Sequence, residues 1–171
     1  MFIIIFLLIA LIDKSFACNG YKLIQKRMEN CDDSGKDVVR FLYKNSSLTL
    51  SNDCKLVPNF CIATLGYKTA MVSYKIWKNG VVILKGQKDM CGMFNTAGKD
   101  AKAIMKKLDV GDGCPFEPKL AICFDEKMTY SMDKFKPFMS VGLGGPMKTE
   151  TKIEHDNGHS CFISEFELVK K

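Results

Sequence analysis

The chain has 171 residues, of which 47% are hydrophobic and 26% are charged, and its formal net charge is +6 at pH 7. Its lysines are spread along the chain and its only arginines are Arg27 and Arg40, so the sequence lacks the basic cluster of a nucleic-acid-binding protein. Such diffuse charge is typical of a solvated surface, with attraction to acidic membranes as the alternative.

The N-terminus predicts a secretory signal peptide over residues 1–17. Its apolar run, Phe2 to Ile12, is about half the ~20 residues that a membrane span needs. Ser15 and Ala17 are the small residues expected before a cleavage site, so the mature chain would start at Cys18. Residues 18–171 then fit one secreted domain.

Most of the mature chain predicts short β-strands. Residues 21–31 and 38–45 are β-rich and end in polar turns. Residues 61–86 predict a long hairpin, because Asn79-Gly80 is the strongest two-residue turn signal. Residues 147–155 and 161–169 predict a second hairpin. About seven strands at this spacing indicate an all-β fold, a sandwich of two antiparallel sheets.

One segment has the period of a helix, and it is followed by a predicted loop. The apolar residues of the segment 95–108 recur at helical spacing: Ala97, Ala101, Ile104, Met105 and Leu108. Residues 111–123 carry glycine and proline and predict a loop.

Eight cysteines in a secreted chain predict a disulfide framework, with 105 possible connectivities. Zinc is the less favoured reading, since no Cys-x-x-Cys pair occurs and the two histidines, His155 and His159, flank one turn. The stretch Asn30 to Asp37, NCDDSGKD, lacks the spacing of a calcium loop and predicts a polar turn after Cys31.

No residue pattern marks a catalytic nucleophile and base, so we expect no catalytic residue, no metal and no cofactor. The triplet Asn45-Ser46-Ser47 is a glycosylation sequon, which places a glycan at Asn45 in a secreted protein.

The sequence is rich in phenylalanine (12 residues) and methionine (10 residues), which suit a surface that adapts to an apolar guest. The segment 133–145 contains apolar residues that a Gly/Pro-rich loop has little room to bury, which predicts contact with a membrane. Its side chains are assigned as apolar inserting residues and basic residues facing acidic headgroups: Phe135, Phe138 and Met139, with Lys134 and Lys136.

The order of cysteines, the start NCD…GKD, and the segments CGMF…MKKL…GDGCP and TYSM resemble the MD-2-related lipid-recognition (ML) family. Its ganglioside GM2 activator-like members are the most similar, and divergent insect members exist. The resemblance implies an immunoglobulin-like sandwich whose sheets hold a lipid or glycolipid without catalysis. It also implies a transient membrane contact, a glycosidase or receptor as partner, and delivery outside the cell or to the lysosomal lumen.

The resemblance further implies disulfide pairings. Cys31 would pair with Cys161, Cys91 with Cys123, and Cys54 with Cys61, which leaves Cys18 and Cys114 by subtraction.

Within this fold, one strand face is predicted to point between the sheets and to be met by methionine and tyrosine from the other sheet. The predicted lipid-cavity residues are Val72, Tyr74, Ile76, Phe94, Met105, Met128, Tyr130 and Met132. The alternative hypothesis is a secreted, disulfide-rich recognition module, chemosensory or immune, with a filled core and no lipid cargo.

Overall fold

The computed structural model describes residues 17–32, 34–96, 98–111, 113–133 and 144–170. Within these ranges the chain forms ten β-strands and two short α-helices. The strands are β1 Tyr21–Asn30, β2 Val39–Phe41, β3 Ser47–Leu50, β4 Lys55–Thr64, β5 Ala70–Lys78, β6 Val81–Asp89, β7 Lys119–Phe124, β8 Tyr130–Ser131, β9 Gly145–His155 and β10 Gly158–Lys170. The helices are α1 Met90–Asn95 and α2 Lys99–Lys107, and 3-10 turns lie at Ala17–Gly20 and Glu126–Met128.

The strands form two antiparallel sheets. The larger sheet has the order β1-β10-β9-β5-β6. In the smaller sheet β4 is central, because β2 and β7 both pair with it at Ile62, and β3 and β8 both pair with it at Leu56. The predicted all-β fold class is therefore confirmed.

Both predicted hairpins form in the larger sheet. Asn79 and Gly80 have φ values of 51° and 80°, the left-handed conformation that a tight turn of this kind requires. Asp156 and Asn157 turn β9 into β10, where Gly158 pairs with His155. Trp77 pairs with Lys148 of β9, whose Nζ lies 5.5 Å from the centre of the Trp77 ring. The β5–β6 register shifts between Ile76 and Trp77, which leaves Ile83 of β6 without a partner in the register.

Three assignments of elements need correction. The predicted hairpin over 61–86 begins only at Ala70, because residues 61–64 belong to β4 in the other sheet. The predicted loop over 111–123 contains most of β7, whose apolar alternation is only six residues long. The sequence predicted one helix over residues 95–108, whereas the structure has α2 within that range and a second short helix, α1, before it.

Neither helix in the described ranges is long and apolar enough to cross a membrane.

Two amide side chains of β1 join the sheets along one side of the sandwich. Asn30 Nδ2 donates to Phe41 O at 3.2 Å, and Asn30 Oδ1 accepts from Phe41 N at 2.8 Å. Gln25 makes the same pair of bonds at the start of β3, donating to Ser46 O at 2.7 Å and accepting from Leu48 N at 2.6 Å. Each amide thus stands in for a backbone peptide and pairs β1 with the edge of the smaller sheet.

The predicted polar turn after Cys31 is present. Asp32 Oδ1 accepts a hydrogen bond from Ser34 N at 2.8 Å, and Gly35 has a φ of 69°. Asp37, at the end of the turn, is buried against the start of β2.

The structure contains four disulfides, which pair all eight cysteines. Cys31–Cys161 joins β1 to β10 as predicted. The other bridges are Cys18–Cys54, Cys61–Cys123 and Cys91–Cys114. The predictions Cys91–Cys123, Cys54–Cys61 and Cys18–Cys114 are therefore wrong.

Strand geometry explains these corrections. Cys54 precedes β4 and Cys61 lies within it, so seven residues of mostly extended chain hold them on the order of 20 Å apart. A disulfide requires Cα atoms within about 7 Å. Cys61 lies directly opposite Cys123 in the β4–β7 register, with Cα atoms 4.0 Å apart. Cys91 lies in α1, where Cys114 of the following segment is its neighbour.

The amide pairing gives a first prediction. Asn30→Ala and Gln25→Ala should each lower the free energy of unfolding by about 1–3 kcal/mol, because each leaves backbone groups of the facing segment without partners. Asn59→Ala, at an exposed position of β4, should change it by less than about 0.5 kcal/mol. Urea unfolding measures all three variants. Losses for Asn30→Ala and Gln25→Ala no larger than that of the control would show that the amides do not hold the sheets together.

Candidate functional site

A cavity of about 460 Å³ lies between the smaller sheet, the helical segment and the ends of β9 and β10. Its described walls are almost wholly apolar. The lining residues are Val39, Phe41, Phe60, Ile62, Thr64, Tyr67, Met90, Phe94, Met105, Leu108, Val110, Phe116, Ile122, Phe124, Ile153 and Phe162.

The smaller sheet supplies one wall through the two-residue period of its strands. Phe60, Ile62 and Thr64 of β4 point inward, while Cys61 between them points to the other face. Ile62 pairs with Phe41 on one side and with Ile122 on the other, so the inward rows of three strands are aligned.

Aromatic rings fix the shape of this wall. Phe60 stacks on Phe124 with ring centroids 4.7 Å apart. Phe41 contacts Phe60 at 5.4 Å and Phe162 of the larger sheet at 5.1 Å, both edge to face. These are favoured geometries of aromatic pairs. The rings therefore pack on one another and form a fixed wall beside the cavity.

The helical segment supplies the opposite wall. Phe94 of α1 contacts Phe116 at 5.2 Å, and Phe116 contacts Tyr67 at 5.1 Å. Met105 of α2 is buried at the cavity. The Cys91–Cys114 disulfide ties α1 to the segment that carries Phe116, so this wall is covalently closed.

The two polar groups of the lining are both uncharged at neutral pH. Thr64 Oγ1 accepts a hydrogen bond from Gly66 N at 3.0 Å. Burial raises the pKa of Tyr67 to about 12, which keeps its phenol neutral. No described lining side chain carries a charge. The site can therefore bind an apolar group by burial, and it offers that group no ion pair.

A buried polar cluster lies behind Tyr67. The ring of His155 lies 4.5 Å from the Tyr67 ring, and its Nε2 lies 2.9 Å from Ser160 Oγ. Ser160 Oγ also accepts from Val39 N at 2.8 Å, and this serine is 1% exposed. Since it is fully enclosed, Ser160 is placed to join β10 to β2 and not to attack a substrate.

The structure brings two of the eight predicted lipid-cavity residues to this cavity, Phe94 and Met105. Val72 packs against the buried cluster behind it, on the same face as the lining residue Ile153. The other five lie elsewhere. On β5, Tyr74 packs on Gly86 and Ile76 lies farther along the strand. Met128 lies in the turn Glu126–Met128, Tyr130 is exposed, and Met132 packs near Cys18–Cys54. They are absent from the wall because the cavity is at the other end of the sandwich, where β4 and β7 carry the inward rows.

Most lining residues were missed by the sequence prediction, although a signal was present. Phe60, Ile62 and Thr64 alternate with Asn59, Cys61 and Ala63, as do Ile122 and Phe124 with Cys123. The sequence prediction assigned residues 61–64 to a hairpin and residues 111–123 to a loop. It therefore missed the inward-facing rows of β4 and β7. Asn45 is exposed, as a glycan acceptor must be. The predicted membrane-loop residues 134–136, 138 and 139 lie outside the described residues.

The pKa values of two acid–base groups, the half-buried His155 and the buried Asp37, shift in opposite directions. Burial lowers the pKa of His155 more than the nearby Asp156 and Glu154 raise it. Its Nδ1 is buried without a hydrogen-bond partner among the described residues, so a proton there would be unpaired. Burial, followed by the charge of Asp32, raises the pKa of Asp37, so this carboxyl resists ionisation.

The His155 shift gives a second prediction. Because its pKa in the folded protein is below the ordinary value of about 6.5, the unfolded state takes up more protons under that pH. The stability that neutral His155 contributes should be present above pH 6.5 and lost as the pH falls towards 5. His155→Gln should flatten this slope in urea unfolding measured from pH 7.5 to 5. An unchanged slope in His155→Gln would contradict the assignment.

Comparisons with known proteins place the chain in a family. No protein-family model matches it. Sporozoite-associated mosquito saliva protein 1 of Anopheles gambiae is 36% identical over 156 residues, which cover 90% of this chain and 84% of that protein. Among solved structures, chicken MD-1 complexed with lipid IVa is similar with a TM-score of 0.42 and 9% identity, over 89% of this chain and 91% of that one. By its identity over most of both chains, this protein belongs to the same family as the mosquito saliva protein.

Proposed function

We propose that this protein is a secreted, non-catalytic lipid-binding protein that holds an acyl chain in the cavity between its two sheets. The observation that carries the proposal is the cavity of about 460 Å³ whose described walls bear no charged side chain. Volumes of 300–1,000 Å³ are typical of small-molecule sites, and an apolar cavity of this kind favours an apolar guest over ordered water.

The driving force in this proposal is burial of the acyl chain. Each methylene moved from water to an apolar wall contributes about 0.8 kcal/mol, so a long chain needs no charged pocket to bind. The polar head would remain at the surface, since the polar groups of the described lining are the Thr64 hydroxyl, which already accepts a hydrogen bond, and the Tyr67 phenol.

Secretion is part of the proposal. Four disulfides are typical of a chain that folds in an oxidising compartment. The relative is named as a saliva protein, which agrees with export from the cell. Transfer of the lipid between membranes, or its presentation to a hydrolase or receptor, would follow from the same binding step.

A second candidate function is a recognition module that binds a partner protein. The observation favouring it is the edge strand β6, where Val81, Val82, Ile83 and Leu84 are consecutive, apolar and between 45% and 66% exposed. An exposed apolar edge strand is a surface on which another chain can pair. This function needs no lipid, so ligand binding separates the two candidates.

The third prediction uses one substitution at two positions. Ile62→Trp places an indole in the cavity, so it should lower the affinity for the neutral fluorescent probe N-phenyl-naphthylamine at least tenfold while stability changes little. Ile83→Trp, the same change on the exposed edge of β6, should bind the probe as the unchanged protein does.

Two measurements on these proteins, probe fluorescence and urea unfolding, decide between the candidates. A filled core would be overpacked by Ile62→Trp and lose about 1–3 kcal/mol. That loss, together with no probe binding by the unchanged protein, would end the lipid-binding proposal in favour of the recognition module.

A further inference from the structure

We propose that the cavity accepts a single acyl chain of roughly 14 to 18 carbons, so that the ligand is a one-chain anionic lipid of the long-chain fatty acid class. This inference rests on the proposed function, because it specifies the guest of the same cavity. It excludes two-chain phospholipids and glycolipids as ligands held fully between the sheets.

The cavity volume limits the number of methylene groups. One methylene takes about the same volume as a water molecule in the liquid, ~30 Å³. The cavity of about 460 Å³ therefore holds roughly 15 methylenes. A lipid with two such chains needs about 900 Å³, nearly twice the volume of this cavity.

Each wall is cross-linked within itself, and aromatic contacts between the two sheets oppose their moving apart to admit a second chain. Cys61–Cys123 ties β4 to β7 behind the sheet wall, and Cys91–Cys114 closes the helical wall. The paired rings of Phe41, Phe60 and Phe162 bridge the two sheets beside the cavity. Widening the cavity would separate these rings as well as the sheets.

The charge of the head group follows from the side chains around the helical wall. Lys106 and Lys107 lie between the lining residues Met105 and Leu108 and are exposed. Asp109, the next acidic residue, is already ion-paired to Lys119 at 2.6 Å. If the surface end of the chain lies beside this helix, a carboxylate would meet the ammonium groups of Lys106 and Lys107, whereas a cationic head would be repelled.

Native mass spectrometry and competition against N-phenyl-naphthylamine test the chain number. The probes are saturated fatty acids of 10 to 22 carbons, methyl palmitate, and dipalmitoyl phosphatidic acid. We expect one fatty acid per protein, an affinity optimum at roughly 14–18 carbons, and at least tenfold weaker binding of the two-chain lipid. Two fatty acids per protein, or equal affinity for the two-chain lipid, would overturn the inference and leave the proposed function intact. Failure of every probe, including the naphthylamine, would overturn the proposed function itself.

Phe94→Ala tests whether the cavity sets the length. Removing this ring opens on the order of 100 Å³, so the optimum should move up by about three carbons. Leu120→Ala, at a residue that is 93% exposed, should leave the optimum where it is. An unmoved optimum in a folded Phe94→Ala variant, with its melting transition intact, would show that another part of the molecule measures the chain.

Lys106→Gln with Lys107→Gln tests the head group. The pair should weaken palmitate binding about two- to fivefold, as expected of exposed charges, and leave methyl palmitate unchanged. Lys85→Gln with Lys88→Gln, two exposed lysines of β6, is the matched control and should alter neither ligand. Equal loss of palmitate and its ester, or none of either, would show that these lysines do not recognise the carboxylate.

Discussion

The side-chain amides of Asn30 and Gln25 hold one side of the sandwich closed, and the rest of the structure depends on this closure. Each amide donates to and accepts from backbone groups of the smaller sheet, which fixes the distance between β1 and that sheet. These hydrogen bonds close this side of the sandwich. On the other side α1 and α2 cover the gap between the sheets, and the cavity lies beneath them. The asymmetry of the sandwich thus decides where an apolar guest can lie.

A cavity of this size lowers stability, because the lining side chains lose contacts that a filled core would make. Disulfides offset that loss by restricting the unfolded chain, and the effect grows with the loop that they close. Cys31–Cys161 spans 130 residues and joins the same strand, β1, that carries the two amides. Cys61–Cys123 spans 62 residues and stiffens the sheet wall. Each of these two bridges joins neighbouring strands of one sheet, so they stiffen the sheets on either side of the cavity.

Local signals predicted the larger sheet well and the site poorly, for physical reasons. Asn79-Gly80 and Asp156-Asn157-Gly158 specify tight turns by their own backbone preferences, so both hairpins could be read from the residues. The alternation of β7 is only six residues long and follows a Gly/Pro-rich segment, which hid Ile122 and Phe124. The pairing of Cys61 with Cys123 depends on the register of two strands far apart in sequence. The position of the cavity depends on how the two sheets and the helical segment pack together, and no single segment of the sequence contains that information.

An apolar cavity whose described lining carries no charge should select its ligands mainly by chain length. Each methylene contributes about 0.8 kcal/mol, which is roughly a fourfold change in the dissociation constant. An exposed lysine near a head group contributes less than about 1 kcal/mol. Chain length up to the volume limit therefore governs affinity, and head-group chemistry modifies it only slightly. The same arithmetic governs release, because transferring a buried chain to water costs its whole apolar contribution while transfer to a membrane costs little. Under the proposed function, a bound chain would therefore exchange fastest where a second apolar phase contacts the protein.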